Sequence, residues 1–140
     1  MAFEFVKLEI DGTFRIKPKI FADERGYFTE TYKRSDFERV GIKADFRQDN
    51  QSSSTKGVIR GLHFQREPYA QGKLVRVVKG MIFDVGVDLR KDSRTFCLEV
   101  PLDPPIILTS SDPSCPSLPI TRTFISSPYP YICIFTYDKP

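Results

Sequence analysis

The stretch from Gly57 to Lys73, GVIRGLHFQREPYAQGK, holds the only histidine of the 140-residue chain, His63, between Arg60 and Lys73. Histidine is the side-chain type whose charge changes near neutral pH, so proton transfer at pH 7 would fall to His63. A base between two cations suits a reaction that takes a proton from carbon and builds an oxyanion on a phosphate-bearing substrate. A lone histidine satisfied in a core or on a surface is the competing reading.

For these groups to act together, the elements that carry them must turn them to one side. Gly57 to Gln65 reads as a strand, in which Arg60 and His63, three apart, would point to opposite faces. A bulge at Gly61, between them, would restore both to one face. Gly72 to Lys79 and Met81 to Leu89 read as apolar strands joined at Lys79-Gly80, a tight hairpin turn. In the second, Phe83, Val85, Val87 and Leu89 form one row and Asp84, Gly86 and Asp88 the other. A carboxylate on an inner face is costly unless paired, so Asp84 is either hydrogen-bonded in a pocket or turned to water.

Upstream, TFRIKPKIF at 13–21 puts Phe14, Ile16, Pro18 and Ile20 on one parity and basic residues between them. That is a half-buried strand, with the proline favouring an edge. Ala22 to Gly26 is a turn, and Tyr27 to Tyr32 a second strand with Phe28 and Glu30 on one face. Ser35-Asp36-Phe37-Glu38 has capping-box spacing and Gly41 can end a helix, so Ser35 to Val40 is a short helix. Ala44 to Gln51 reads as a strand, with Gln48 and Asn50 on one face, running into the polar loop SSSTKG. Short strands recurring with almost no helix indicate an all-β sandwich or barrel of jelly-roll type.

The length suits one domain. Lys and Arg, 21 in all, are interspersed with 18 Asp and Glu for a net charge of +3, and no basic run marks a nucleic-acid partner. An anionic small molecule accounts for the basic residues. The N-terminal MAFEFVKLEIDG is charged where a secretory signal needs an apolar run, and no apolar run has membrane-spanning length, so the reading is a cytoplasmic protein without a membrane partner. Cys97, Cys115 and Cys133 lie outside any CxxC pair and suggest free thiols.

From Cys97 onward the composition changes. This tail holds nine of the eleven prolines, all three cysteines and none of the eight glycines. Prolines at that density argue against central strands, and only Pro105 to Ser110 and Tyr131 to Tyr137 read as strands. YICIFTY without a strand partner would be prone to aggregate.

Five segments of residues 13–96, DERGYF, FRQDNQS, KGVIRGLHFQ, QGKLVRVVKG and FDVGVDLRKDS, resemble the dTDP-4-dehydrorhamnose 3,5-epimerase family in order and spacing. The family epimerises C3 and C5 of a dTDP-linked 4-keto-6-deoxysugar without a cofactor, on the route to dTDP-L-rhamnose. The resemblance implies a cupin-type jelly roll, paired as a homodimer, with the substrate inside the barrel. It implies His63 as the base beside the C4 ketone and Lys73 as the stabiliser of the enolate oxygen. Arg25 and Arg60 match diphosphate-holding positions. Glu30, Gln48, Asp49 and Asn50 match nucleotide- or sugar-contacting ones, and Asp84 a residue orienting a polar partner. Many cupins hold a metal through several histidines, so a single histidine argues against a metal cupin, and no Gly-rich dinucleotide fingerprint is present.

Residues 97–140 depart from the family pattern. The segment carrying the family's proton-donor tyrosine and the carboxylate partner of its histidine is not recognisable there. This divergent, Pro-rich tail is read as part of the same domain as the core, residues 1–96. An out-of-frame translation, natural divergence and a fused segment are alternative origins. The expectation is an epimerase impaired in this polypeptide. Alternatives are a single-carbon sugar-nucleotide epimerase, a ketoisomerase, or a non-catalytic nucleotide-sugar binder.

Overall fold

Phe14 and Ile16 alternate with Arg15 and Lys17, and a pleated strand sends those two sets to opposite faces. The computed structural model bears this out: Phe14, Ile16 and Pro18 are buried, and the basic residues between them are not. It describes residues 2–65, 68–80 and 82–97, together with the backbone of 99–101, 122–125 and 132–137. Its elements in chain order are β1 (Phe3–Lys7), β2 (Thr13–Pro18), β3 (Ile20–Asp23), β4 (Gly26–Thr29), α1 (Arg34–Arg39), β5 (Ile59–His63) and β6 (Lys73–Arg76). They continue as β7 (Phe83–Asp88), β8 (Glu99–Pro101), β9 (Arg122–Ile125) and β10 (Ile132–Tyr137).

Two four-stranded sheets carry the architecture among the described residues, in the orders β1-β2-β9-β6 and β5-β10-β7-β8, and β3 pairs with β4 as a separate ribbon. Every pairing is antiparallel. The buried cluster lies where α1 covers the first sheet: Phe3, Phe14, Ile16, Phe37 and Ile42, flanked by Phe5, Phe46 and Leu74. Phe37, 1% exposed, meets the rings of Phe3, Phe5 and Tyr32 edge-on, at centroid distances of 5.5, 5.2 and 4.9 Å. Edge-to-face rings align the positive rim of one with the negative face of another, which adds to the area buried.

The helix ends as its glycine suggests. Gly41, at φ +90°, donates its N–H to the Glu38 carbonyl, and Ile42 donates to that of Phe37. Those bonds satisfy two orphan carbonyls of the last turn and deliver Ile42 to the core. A Cβ at Gly41 would meet nothing within 4 Å, so the cost of Gly41→Ala is conformational rather than steric. We expect a loss of about 1 kcal/mol, read as a lower urea midpoint at unchanged slope.

Several expectations are corrected. Helix α1 begins at Arg34 behind an extended Lys33 and has no side-chain cap. Ser35 is thus inside the first turn, while the Asp36 carboxylate takes the Ala2 N–H at 3.2 Å. Strand β2 is internal rather than an edge, and Pro18 is tolerated because it is the last residue of the strand. Ala44 to Gln51 forms no ladder; local side-chain bonds, Arg47 to Asp45 at 2.8 Å and Gln48 to Asn50 at 3.1 Å, hold it instead. Lys79-Gly80 turns the chain, with Gly80 at φ +86°, but joins no hairpin, because β6 pairs with β9 and β7 with β10 and β8.

The tail provides the largest correction. β9 and β10 are both internal strands, because RTFI and ICIFTY are proline-free runs inside a proline-rich segment. YICIFTY gains partners on both edges, β5 and β7. The stretch Pro105 to Ser110 lies outside the described residues.

Candidate active site

Strand β5 solves the facing problem with an extra residue. His63 lies opposite Ile134 and Arg60 opposite Thr136, so three steps along β5 span two along β10. The additional residue falls at Gly61-Leu62, and Arg60 and His63 share a face. On the other side of β10, Thr136 pairs with Asp84 and Ile134 with Gly86. Arg60, Thr136 and Asp84 therefore form one row across the sheet, and His63, Ile134 and Gly86 the next. This is the face that buries Asp84, 3% exposed, and Asp88, 0% exposed, so the acidic row of β7 is the inner one. At ordinary strand spacing Asp84 lies roughly 10 Å across the sheet from Arg60, backbone to backbone.

Arg60 is held by the loop that precedes its strand. Its Nε donates to Ser54 Oγ at 2.9 Å and its Nη2 to the Ser53 carbonyl at 3.1 Å. The loop doubles back through Thr55 to Gly57, where Val58 donates to the Thr55 carbonyl at 3.4 Å and Gly57 takes φ +85°. Such a φ is open to glycine at little cost. Gln48, Asp49 and Asn50 are exposed in the approach to this loop.

Lys73 opens β6 on the other sheet, half-buried and opposite Ile125. Arg25 occupies the turn of the β3–β4 ribbon. Its Nε and Nη2 donate to Asp23 Oδ2 at 3.2 and 2.6 Å, and its backbone N–H to Oδ1 at 2.9 Å. Those bonds hold the Asp23 carboxyl below its ordinary range and raise Arg25 above its own. Glu30, half-buried, follows β4 directly. The fold thus brings Arg60, His63 and Asp84 to one face of one sheet. Lys73 stands on the edge strand of the other, and Arg25 and Glu30 are on or beside the ribbon.

Residues 7–102 match the sequence profile of the family described as dTDP-4-dehydrorhamnose 3,5-epimerase. The chain belongs to this epimerase family. It is 55% identical over 94 residues to the dTDP-4-dehydrorhamnose 3,5-epimerase of Methanothermobacter thermautotrophicus, covering 67% of this chain and 50% of that protein. It is 59% identical over 92 residues to that of Shigella flexneri, covering 65% and 51%. The dTDP-6-deoxy-D-glucose-3,5-epimerase of Legionella pneumophila, solved in complex with dTDP-4-keto-L-rhamnose, superposes with a TM-score of 0.77 at 36% identity, over 97% of this chain and 65% of that one. The fold is the all-β cupin-type jelly roll of these epimerases. The chain spans about half the length of the curated relatives it matches. Every candidate residue from Arg25 to Asp84 falls within the epimerase match, and residues 103–140 fall beyond it.

Two features of this epimerase-family chain escaped the reading of its sequence. One is the Ser53-Ser54 support of Arg60, signalled only by the polar run SSSTKG. The other is the network on Asp88, written in DLRKDSRT. Asp88 accepts from Arg90 Nε and Nη2, both at 2.7 Å, and from the hydroxyls of Ser93 and Thr95, both at 2.6 Å. Cys97 N–H closes the loop onto the Asp88 carbonyl at 2.7 Å. Burial alone would push the Asp88 carboxyl up, but the donors from Arg90, Ser93 and Thr95 outweigh it and hold it far below the carboxylate range. Among the described residues no three His, Cys, Asp or Glu side chains are grouped to hold a metal, and no helix is long and apolar enough to cross a membrane.

Proposed function

We propose that this chain is a dTDP-4-dehydrorhamnose 3,5-epimerase acting on dTDP-4-keto-6-deoxyglucose. The observation that carries the reading is the bulge in β5, which sets the sole histidine and Arg60 on one face. His63 takes the proton from the carbon beside the C4 ketone, and the electron pair moves to the carbonyl oxygen as an enolate, stabilised by Lys73. A proton delivered from solvent to the opposite face of the carbon inverts the centre, and the histidine returns its own proton to solvent. Arg60 and Arg25 hold the diphosphate, whose planar, bidentate recognition suits guanidinium. Glu30, Gln48, Asp49 and Asn50 contact nucleotide or sugar, and Asp84 orients a polar neighbour.

In this reading residues 1–96 and the tail form a single unit, and the protein works in the cytoplasm as a homodimer, supplying dTDP-L-rhamnose for cell-surface polysaccharide. The tail carries no recognisable family tyrosine or histidine-pairing carboxylate, so turnover is slow. Loss of an orienting carboxylate removes orders of magnitude in rate. Proton exchange in D2O tests this. We expect slow incorporation of deuterium at both C3 and C5. Rapid incorporation at both would remove the impairment, incorporation at one carbon would make the chain a single-carbon epimerase, and dTDP binding without exchange would make it a binder.

A further inference from the structure

We propose that Ser54 is a positioning residue for Arg60, presenting the guanidinium end-on and with its charge uncancelled to the diphosphate of a nucleotide-sugar. This rests on the reading above that Arg60 meets the diphosphate. A guanidinium offers two forks to an oxyanion, a side-on pair at Nε and Nη2 and an end-on pair at Nη1 and Nη2. In this structure the side-on pair of Arg60 is taken, by Ser54 Oγ at 2.9 Å and the Ser53 carbonyl at 3.1 Å. What remains to a ligand is the end-on pair.

The second candidate cation makes the contrast. Arg25 also has its Nε and Nη2 engaged, but by the carboxylate of Asp23, at 3.2 and 2.6 Å. That contact fixes the side chain and offsets part of its charge. The oxygens behind Arg60 are neutral, so they restrict its rotamers without reducing its pull on an anion. An unrestrained arginine carries large rotamer entropy that binding would have to remove. Ser54 removes part of it beforehand, on a loop whose turn at Gly57 directs Ser53 and Ser54 back toward Arg60.

The test titrates dTDP into the full chain and its variants by calorimetry at several salt concentrations. Ser54→Ala should weaken dTDP binding about 5-fold, the size of one orienting hydrogen bond, and Ser54→Thr should stay within about 2-fold because it keeps the hydroxyl. Ser54→Asp should keep Arg60 tethered yet weaken binding at least about 10-fold and flatten the salt dependence, because it gives Arg60 the partner that Arg25 has. In Arg60→Ala, adding Ser54→Ala should cost nothing more. Ser54 is exposed, so melting temperatures should not move. Undiminished affinity in Ser54→Ala, or additive losses in the double variant, overturns the assignment. Unchanged affinity in Arg60→Ala would instead remove the diphosphate role of Arg60 itself.

Discussion

Replacing His63 with alanine should lower deuterium incorporation at C3 and C5 by about 100-fold or more while dTDP affinity stays within about 2-fold. General-base catalysis accounts for factors of about 100 to 10,000 in rate, and the chain has no second imidazole to take over. The split between chemistry and binding follows from position. Arg60 is held by the serine loop rather than by His63, so the diphosphate contact proposed for it should survive the substitution. His63 is exposed at the end of β5, where side-chain truncation typically changes stability by no more than about 0.5 kcal/mol. Exchange measured by NMR in D2O, with added imidazole as a rescue, checks the role. Exchange that persists in His63→Ala at the rate of the unaltered chain would leave the histidine a bystander.

Asp88→Asn should destabilise the fold by about 3–5 kcal/mol at pH 7, the range for breaking a buried ion pair from one side. Asp88 is fully buried, and Arg90, whose side chain is 13% exposed, would lose the carboxylate that accepts from its Nε and Nη2. The effect should depend on pH in a determined sense. The folded-state pKa of Asp88 lies below that of an unfolded aspartate, near 3.9, so its contribution is fully present above that value. It is lost progressively as pH falls toward the folded pKa. Urea unfolding at pH 7 and pH 3 should therefore show the gap between the two proteins narrowing in acid. A gap of constant size would mean that Asp88 is not held as an anion.

Several parts of the fold that depend on neighbouring residues were legible in the sequence, although the capping-box spacing at Ser35 capped no helix and Ala44 to Gln51 made no strand. Period two in TFRIKP gave the buried parity of β2, and the three-residue spacing of Arg60 and His63 demanded the bulge that the register displays. Gly41 ended its helix because a left-handed residue is required there. What depends on distant pairing was not. A turn at Lys79-Gly80 says that the chain reverses, not which sheet receives it, and β6 and β7 go to different ones. Proline density averaged over the tail concealed the proline-free run of β9, and it hid the partners of YICIFTY, which did read as a strand. The inward row of β7 was ambiguous for a similar reason. Asp88 is acceptable there only because Arg90, Ser93 and Thr95 curl back onto it from beyond the strand. At the site, the shared face of His63 and Arg60 could be anticipated from their spacing and Gly61, whereas the serine loop behind Arg60 shows only in the fold, since a polar run carries no statement of what it will touch.

The internal placement of β9 and β10 governs how such a chain must assemble. Thr13 waits for Ile125 and His63 for Ile134, so both sheets remain split down the middle until those two short segments arrive. Closing long loops before any reward makes such pairing slow. A nascent chain that has made only the strands through β8 would display four extra ladder edges, on β2, β6, β5 and β7, and would need shielding from its neighbours on the way to the native state.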